Sequence, residues 1–240
     1  MTDSGFFPGT LRRVGGRFFL LLSALLLFVL LPAPDRARGA SEKPGEGELG
    51  LLIKNVKAGA GFTSDFVQTL GAPGTSGNRS EGVLVYRSPG LMILHYSDPP
   101  GQWLKLDGNR MALYVPQNRQ VLLKTIRKHR IPETPAILLA SIPEISKWFF
   151  VRPEGTGSEK EGDRISIVLI PRHPDPHLAQ ARLTLLKGKG VLTDLLFMEQ
   201  NGTHLGIRLR KFRVLSHVPA QDLTVTVPKG TTAAEVPGAF

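Results

Sequence analysis

The chain has 240 residues, 41% of them hydrophobic and 21% charged, with 30 Lys/Arg against 20 Asp/Glu and no cysteine. This is the composition of a globular protein with a core to bury, and it excludes an intrinsically disordered chain. Stability cannot draw on disulfides, and the basic surplus favours anionic membranes or acidic partners.

The first predicted element is a secretion signal over residues 1–39. Arg12, Arg13 and Arg17 precede the apolar run "FFLLLSALLLFVLL" at 18–31, and small residues follow. A basic start, a short apolar stretch and a small-residue cleavage region describe a signal peptide, cut here after Gly39 with Ala37 at minus three. The 14-residue run is shorter than the ~20 residues that span a bilayer. With 1–39 removed, 25 Lys/Arg stand against 18 Asp/Glu, a net of +7. Export separates the chain from nucleic acid, and no basic cluster is interleaved with stacking aromatics, so no nucleic-acid partner is expected. With no cysteine at the cleavage site, the exported chain is not itself lipidated.

Next comes "LGLLIKNVKAG", where Leu49, Leu52, Ile53 and Val56 recur at helical spacing until Gly59 and Gly61. An amphipathic helix is predicted. From Phe62 the period shortens. The β-prone runs are "FTSDFVQTL", "GVLVYR", "LMILHYS", "QWLKLD", "RMALYV" and "QVLLKTI", then "RISIVLI", "ARLTLL", "VLTDLLFME", "THLGIRLRKFRVL" and "DLTVTV". Turn residues such as "DPPG", "DGN", "PQN", "KGKG" and "QNG" separate them. Close spacing and tight turns predict an antiparallel meander that curls into a barrel or half-barrel. Between the sixth and seventh runs, "TPAILLASIPEISKWFF" at 134–150 predicts one or two short helices broken at Pro143. Residues 71–80 and 152–163 are expected as exposed loops and the last ten residues as a loose tail. With no repeat and no dividing linker, 40–240 is expected to form a single domain.

Several strands break the alternation of a sheet with one wet face. Leu91, Met92, Ile93 and Leu94 are apolar in a row, and "RISIVLI" and "VLTDLLFME" behave alike. Successive side chains point to opposite faces, so such strands need cover on both. The helical segments can cover one face. On pattern alone, an interior filled by its own side chains and an interior that holds a ligand both remain open.

The blocks "FTSDFVQT", "GVLVYRSPGLMILHY", "LKLDGNRMALYVPQNRQV", "TPAILLA" and "DLTVTVPKG" resemble, in order and spacing, the LolA family of periplasmic lipoprotein carriers. The residues that carry the resemblance are Phe66 and Gln68, Gly82 and Pro89, Asp107 and Gly108, and Tyr114 and Pro116. The resemblance implies an incomplete antiparallel β-barrel covered by helices, which form a lid over a hydrophobic cavity. It implies a monomeric periplasmic carrier for acylated lipoproteins. Cargo would come from an inner-membrane ABC transporter and pass to an outer-membrane receptor. The same half-barrel could instead carry a glycolipid, a hopanoid or another lipid.

The positions expected to line the cavity and lid are Leu52, Val56, Phe66, Leu84, Met92, Leu94, Ile137 and Leu139. The family's arginine before the hairpin proline, which holds the lid closed, is replaced by Ser88, with Arg87 one residue earlier. Either a bulge turns Arg87 inward or the latch differs, because a one-residue shift moves a side chain to the other face. Met92 and Leu94 stand where the family has aromatic residues, which implies a softer cavity.

No enzymatic activity and no cofactor are expected. The sequence has no G-x-S-x-G elbow, H-E-x-x-H helix or P-loop, and its carboxylates are dispersed. His173, Asp175 and His177 of "HPDPH" could share one face of an extended segment. Pro171, Pro174 and Pro176 favour a stiff exposed loop there, so no metal site is expected.

Overall fold

The computed structural model describes residues 46–72, 77–126, 131–154 and 163–236. The predicted signal peptide and its cleavage bond lie outside them. Helix α1 (Glu46–Ala58) buries Leu49, Leu52 and Val56, one stripe at helical spacing. Glu46 and Glu48 sit in its first turn and Lys57 in its last, the signs the helix dipole favours.

Twelve strands follow in chain order: β1 (Gly61–Gly71), β2 (Asn78–Arg87), β3 (Leu91–Asp98), β4 (Trp103–Asp107), β5 (Arg110–Val115), β6 (Gln120–Thr125), β7 (Phe149–Pro153), β8 (Arg164–Pro171), β9 (Leu178–Leu186), β10 (Val191–Glu199), β11 (His204–Leu215) and β12 (Thr232–Glu235). Helix α2 (Pro135–Ala140) and a 3-10 segment (Ile142–Lys147) stand between β6 and β7.

All twelve strands belong to one sheet in the order β12-β6-β5-β4-β3-β2-β1-β11-β10-β9-β8-β7. Neighbours pair antiparallel except β12, which runs parallel to β6. The β1–β11 pairing, from Gly61 with Leu215 to Gly71 with His204, joins the two meanders into one surface. The sheet does not close, since β12 and β7 are its two edges. This is the expected incomplete antiparallel barrel with a few helices as cover.

The strands that looked apolar on both faces are covered on both. On β3, Met92, Leu94 and Tyr96 join the main core with α1, α2 and the inner residues of β8 to β11. Ile93 and Leu91 point the other way and pack under Val218, Leu223 and Val225 of the segment after β11. A neighbouring outer cluster of Trp103, Tyr114 and Val121 also meets Val225. The Trp103 indole N–H donates to the Thr226 carbonyl at 3.2 Å.

Four expectations are corrected. "DLTVTV" forms no strand. It begins as a 3-10 turn at Ala220–Leu223 and then lies over the outer face, where Leu223 and Val225 pack and no neighbouring strand among the described residues pairs with it. Its alternation is real but serves as cover. The strand lies further on, as β12, within the expected tail, where "TAAE" is short and polar and pairs only with β6. Phe149–Pro153, where Phe149 and Phe150 are expected to end the helical segment and Arg152 and Pro153 to open the 152–163 loop, is strand β7, because the Phe149 side chain is fully buried and the chain pairs with β8. Strand β2 also starts at Asn78, inside the expected 71–80 loop.

Candidate functional site

The candidate site is the apolar interior between the inner face of the sheet and the helices. Alternation along β1 to β3 aims Phe66, Leu84, Met92 and Leu94 at it. Leu52 and Val56 enter from α1, and Ile137 and Leu139 from α2. All eight residues expected for cavity and lid therefore meet in one cluster. Leu52, Val56, Leu84, Met92 and Leu139 expose nothing. Among the described residues, the interior side chains pack on one another.

Aromatic contacts order one flank. Phe62 stacks on Tyr86 and on Phe212, each with ring centroids 4.9 Å apart. Phe66 meets Tyr96 edge-to-face at 5.2 Å, and the Tyr96 hydroxyl donates to Gln68 Oε1 at 3.3 Å. Phe66 and Gln68 thus act on the same partner. Burial pushes the Tyr96 phenol up to about 12 from its ordinary 10.0.

The two helices are held differently. Glu48 of α1 accepts from the Gly188 N–H at 2.8 and 3.0 Å, and the Asn55 amide donates to the carbonyls of Lys189 and Gly190 at 3.0 and 3.2 Å. Gly190 lies so close to α1 that a Cβ there would sit 2.6 Å from the Leu51 carbonyl carbon. Helix α2 has an apolar sequence, with Pro135 to Leu139 all buried. Thr134 caps it, its hydroxyl accepting from the Ile137 N–H at 3.3 Å. Just before that cap, Glu133 takes the Lys124 ammonium of β6 at 2.6 Å, with side chains 28% and 8% exposed. Lys124 points inward beside apolar neighbours, and this pair ties the α2 segment to the barrel.

Sequence reasoning missed Lys124 and Glu133. The signal was present: in "QVLLKTI" Lys124 falls on the same face as Leu122, and a lysine on a dry face requires a carboxylate. What the sequence could not supply was which carboxylate. The candidate latch residues lie elsewhere. Arg87 and Ser88 are both exposed. The β1–β2 register runs through Arg87 to its pairing with Gly61 without a bulge, so Arg87 shares the outer face with Val85. Of the two alternatives, the bulge is absent.

An open groove of about 620 Å³ adjoins the interior beside α1, lined by Leu49 and Ile53 of the helix and by Phe149, Phe150 and Val151 of β7, with Arg152 and Arg172 at its rim. Arg172 lies 4.4 Å over the Phe150 ring. In "HPDPH", the Asp175 carboxylate accepts the N–H groups of His177 and Leu178 at 2.9 and 2.8 Å and so shapes a turn. Among the described residues, no group of three His, Cys, Asp or Glu is placed to hold a metal ion. Among them, too, no helix is long and apolar enough to cross a membrane.

Comparison with known proteins bears on this architecture. The family model described as outer membrane lipoprotein carrier protein LolA matches residues 58–226. A protein of Pseudomonas putida (strain GB-1) named outer-membrane lipoprotein carrier protein is 27% identical over 188 residues, 78% of this chain and 87% of that one. A protein of the same name from Pseudomonas syringae pv. syringae is 24% identical over 213 residues, 88% and 95% of the two chains. Among solved structures, an uncharacterized conserved protein from Thermus thermophilus superimposes with a TM-score of 0.50 at 14% identity, covering 80% of this chain and 98% of its own, a likeness of fold. The match to the family model runs from the last residue of α1 through the strands β1 to β11 to the outer-face cover, and the chain belongs to the LolA family of outer membrane lipoprotein carriers.

Proposed function

We propose that the chain is a periplasmic carrier that holds the acyl chains of lipoproteins between its sheet and α2 while they cross from the inner to the outer membrane. The observation that carries this reading is the gathering of Leu52, Val56, Phe66, Leu84, Met92, Leu94, Ile137 and Leu139 into one apolar interior under two short helices. An acyl chain of about fifteen methylenes loses ~12 kcal/mol of burial in water, so it cannot cross an aqueous compartment uncovered. Lifting α2 exposes Ile137, Leu138 and Leu139 at ~1.5–3 kcal/mol each, roughly 5–9 kcal/mol together. An entering acyl chain more than offsets that, and the empty carrier stays closed. Non-directional apolar contact holds the chain without bonds that must be broken, so a drier acceptor can draw it out.

In this reading α2 is the moving lid, because apolar contact and one ion pair hold it, whereas α1 is fixed by polar contacts to the β9–β10 turn. The Lys124–Glu133 pair takes over the closure that the family assigns to an arginine. The groove beside α1 and β7 gives the cargo's polar head a way out of the interior. Residues 1–39 direct export, and 40–240 act as a monomeric, non-lipidated, non-enzymatic domain. An inner-membrane ABC transporter supplies the cargo and an outer-membrane receptor takes it. Extraction of ligands co-purified from the native host tests the reading. Mass spectrometry should find acylated protein, and free glycolipid or hopanoid in its place would overturn the choice of cargo.

A further inference from the structure

The outer face of the sheet has two halves. The segment after β11 covers β2 to β6, while β8 to β11 and β1 present side chains outward with no such cover among the described residues. On this open half β11 carries "RLRKFR", in which strict alternation would turn some cations toward the core. A bulge prevents this. Arg210 faces Asp65 and Arg213 faces Thr63, so four residues of β11 oppose three of β1. Lys211, at φ 55°, is the extra residue. The buried Ser64 hydroxyl donates to the Arg210 carbonyl at 2.8 Å and pins the bulge. Phe212 is thereby free to stack inside on Phe62, while Arg208, Arg210, Lys211 and Arg213 all remain outside.

Beside this stripe lies a cleft of about 500 Å³. Its floor includes Val67, Thr69, Thr184, Leu196 and the bare backbone of Gly206. Five arginines, Arg79, Arg164, Arg182, Arg208 and Arg210, surround it, and Asp194 is the carboxylate in its lining. Asp194 gives one oxygen to Arg208 Nε at 2.9 Å and the other to Arg164 at 3.4 Å. It fixes two guanidinium groups and leaves most of their N–H donors unspent. Among the described residues Arg210 has no carboxylate partner. Pairing with Glu154 at 2.6 Å holds Arg182 in place at the opposite wall, and Glu81 holds Arg79 at 2.6 Å.

We propose that this cleft is a binding site for a phosphate group, belonging to a lipid headgroup or to free phosphate. Arginine forks on several sides, with the Thr69 and Thr184 hydroxyls below, suit an oxyanion that offers oxygens in several directions. A planar carboxylate on a peptide would meet fewer of them. The cleft lies on the face opposite the apolar interior, so the proposal stands independently of what the interior carries.

The test titrates the purified chain with inorganic phosphate at constant ionic strength, following arginine Nε–H resonances, with chloride as the control for screening. In parallel, the chain is sedimented with vesicles of phosphatidylglycerol and phosphatidylcholine, and with phosphatidylcholine alone. Saturable shifts confined to cleft arginines, weakened at least ~tenfold in Arg208→Gln/Arg210→Gln, are expected. The variant Arg210→Gln leaves no carboxylate unpaired and guards against misfolding, while Arg87→Gln, exposed and outside the cleft, should bind as the parent does. Phosphate binding without vesicle binding identifies free phosphate. Cosedimentation only with phosphatidylglycerol, lost in the same variants, identifies a headgroup. Shifts equal in chloride, absence of binding in both arms, binding indifferent to Arg208 and Arg210, or a cleft that takes oligoglutamate in preference to phosphate would each overturn the proposal.

Discussion

Replacing Glu133 by Gln keeps the shape of the tether on the proposed lid α2 and removes its charge. Lys124, 8% exposed in the closed state, then loses its counter-ion. Stranding one charge of a fully buried pair costs about 3–5 kcal/mol. Glu133 is 28% exposed, so water already screens part of the pair, and about 2 kcal/mol is the reasonable figure. Lifting the lid hydrates the lysine, so this penalty falls on the closed state alone and raises the open population about thirtyfold. Hydrogen exchange reads the change directly. The Leu138 N–H donates to the Thr134 carbonyl at 2.9 Å and the Ser141 N–H to the Ile137 carbonyl at 2.9 Å. Exchange at these amides should accelerate about thirtyfold while the α1 amides keep their rates. The double variant Lys124→Met/Glu133→Leu, which removes both charges, should restore slow exchange. Unchanged exchange in α2, or equal acceleration in α1 and β1, would refute the tether.

Other outcomes follow from the same geometry. Leu52→Ala should lower stability by about 2–4 kcal/mol, read as a shift in the denaturation midpoint, because its side chain is fully buried and α1 is held too firmly to collapse into the space. Arg87→Ala should change neither stability nor lid exchange, since Arg87 lies exposed on the outer face; loss of lid protection would restore it as a latch. The Tyr96 phenol has its folded value raised to about 12. Its contribution is therefore complete below pH 10 and is lost as the pH climbs from 10 toward 12, because the unfolded chain releases that proton first. Denaturation midpoints measured across that range should fall with pH, less steeply in Tyr96→Phe.

The inner face was legible because its logic is local. Alternation along β1 to β3 and helical spacing in α1 and "TPAILLA" point each side chain without knowledge of its neighbour, while the resemblance to the LolA family picked out which eight to name, and they meet in one buried cluster. The outer face was less legible. Ile93 and Leu91 announced that something covers them, but Val218, Leu223 and Val225 lie more than a hundred residues later, and their alternation has the period of a strand. The edge strands were the hardest to see, since a strand with one partner needs little apolar character: β12 is "TAAE", and β7 follows directly on a helical segment. The Lys124–Glu133 pair was half legible, its lysine marked by the dry face and its carboxylate by nothing local. The bulge at Lys211 was hidden for a related reason, because it appears only when β11 is laid against β1.

The central claim is tested most directly by release. Inner-membrane vesicles loaded with a lipoprotein and bearing the matched ABC transporter are incubated with ATP and the purified chain, then sedimented. The account predicts lipoprotein in the supernatant, bound to the chain one to one, with less released when a charged residue replaces Leu94 in the closed interior. Lipoprotein that stays in the pellet, with the transporter active and the chain folded, would contradict it.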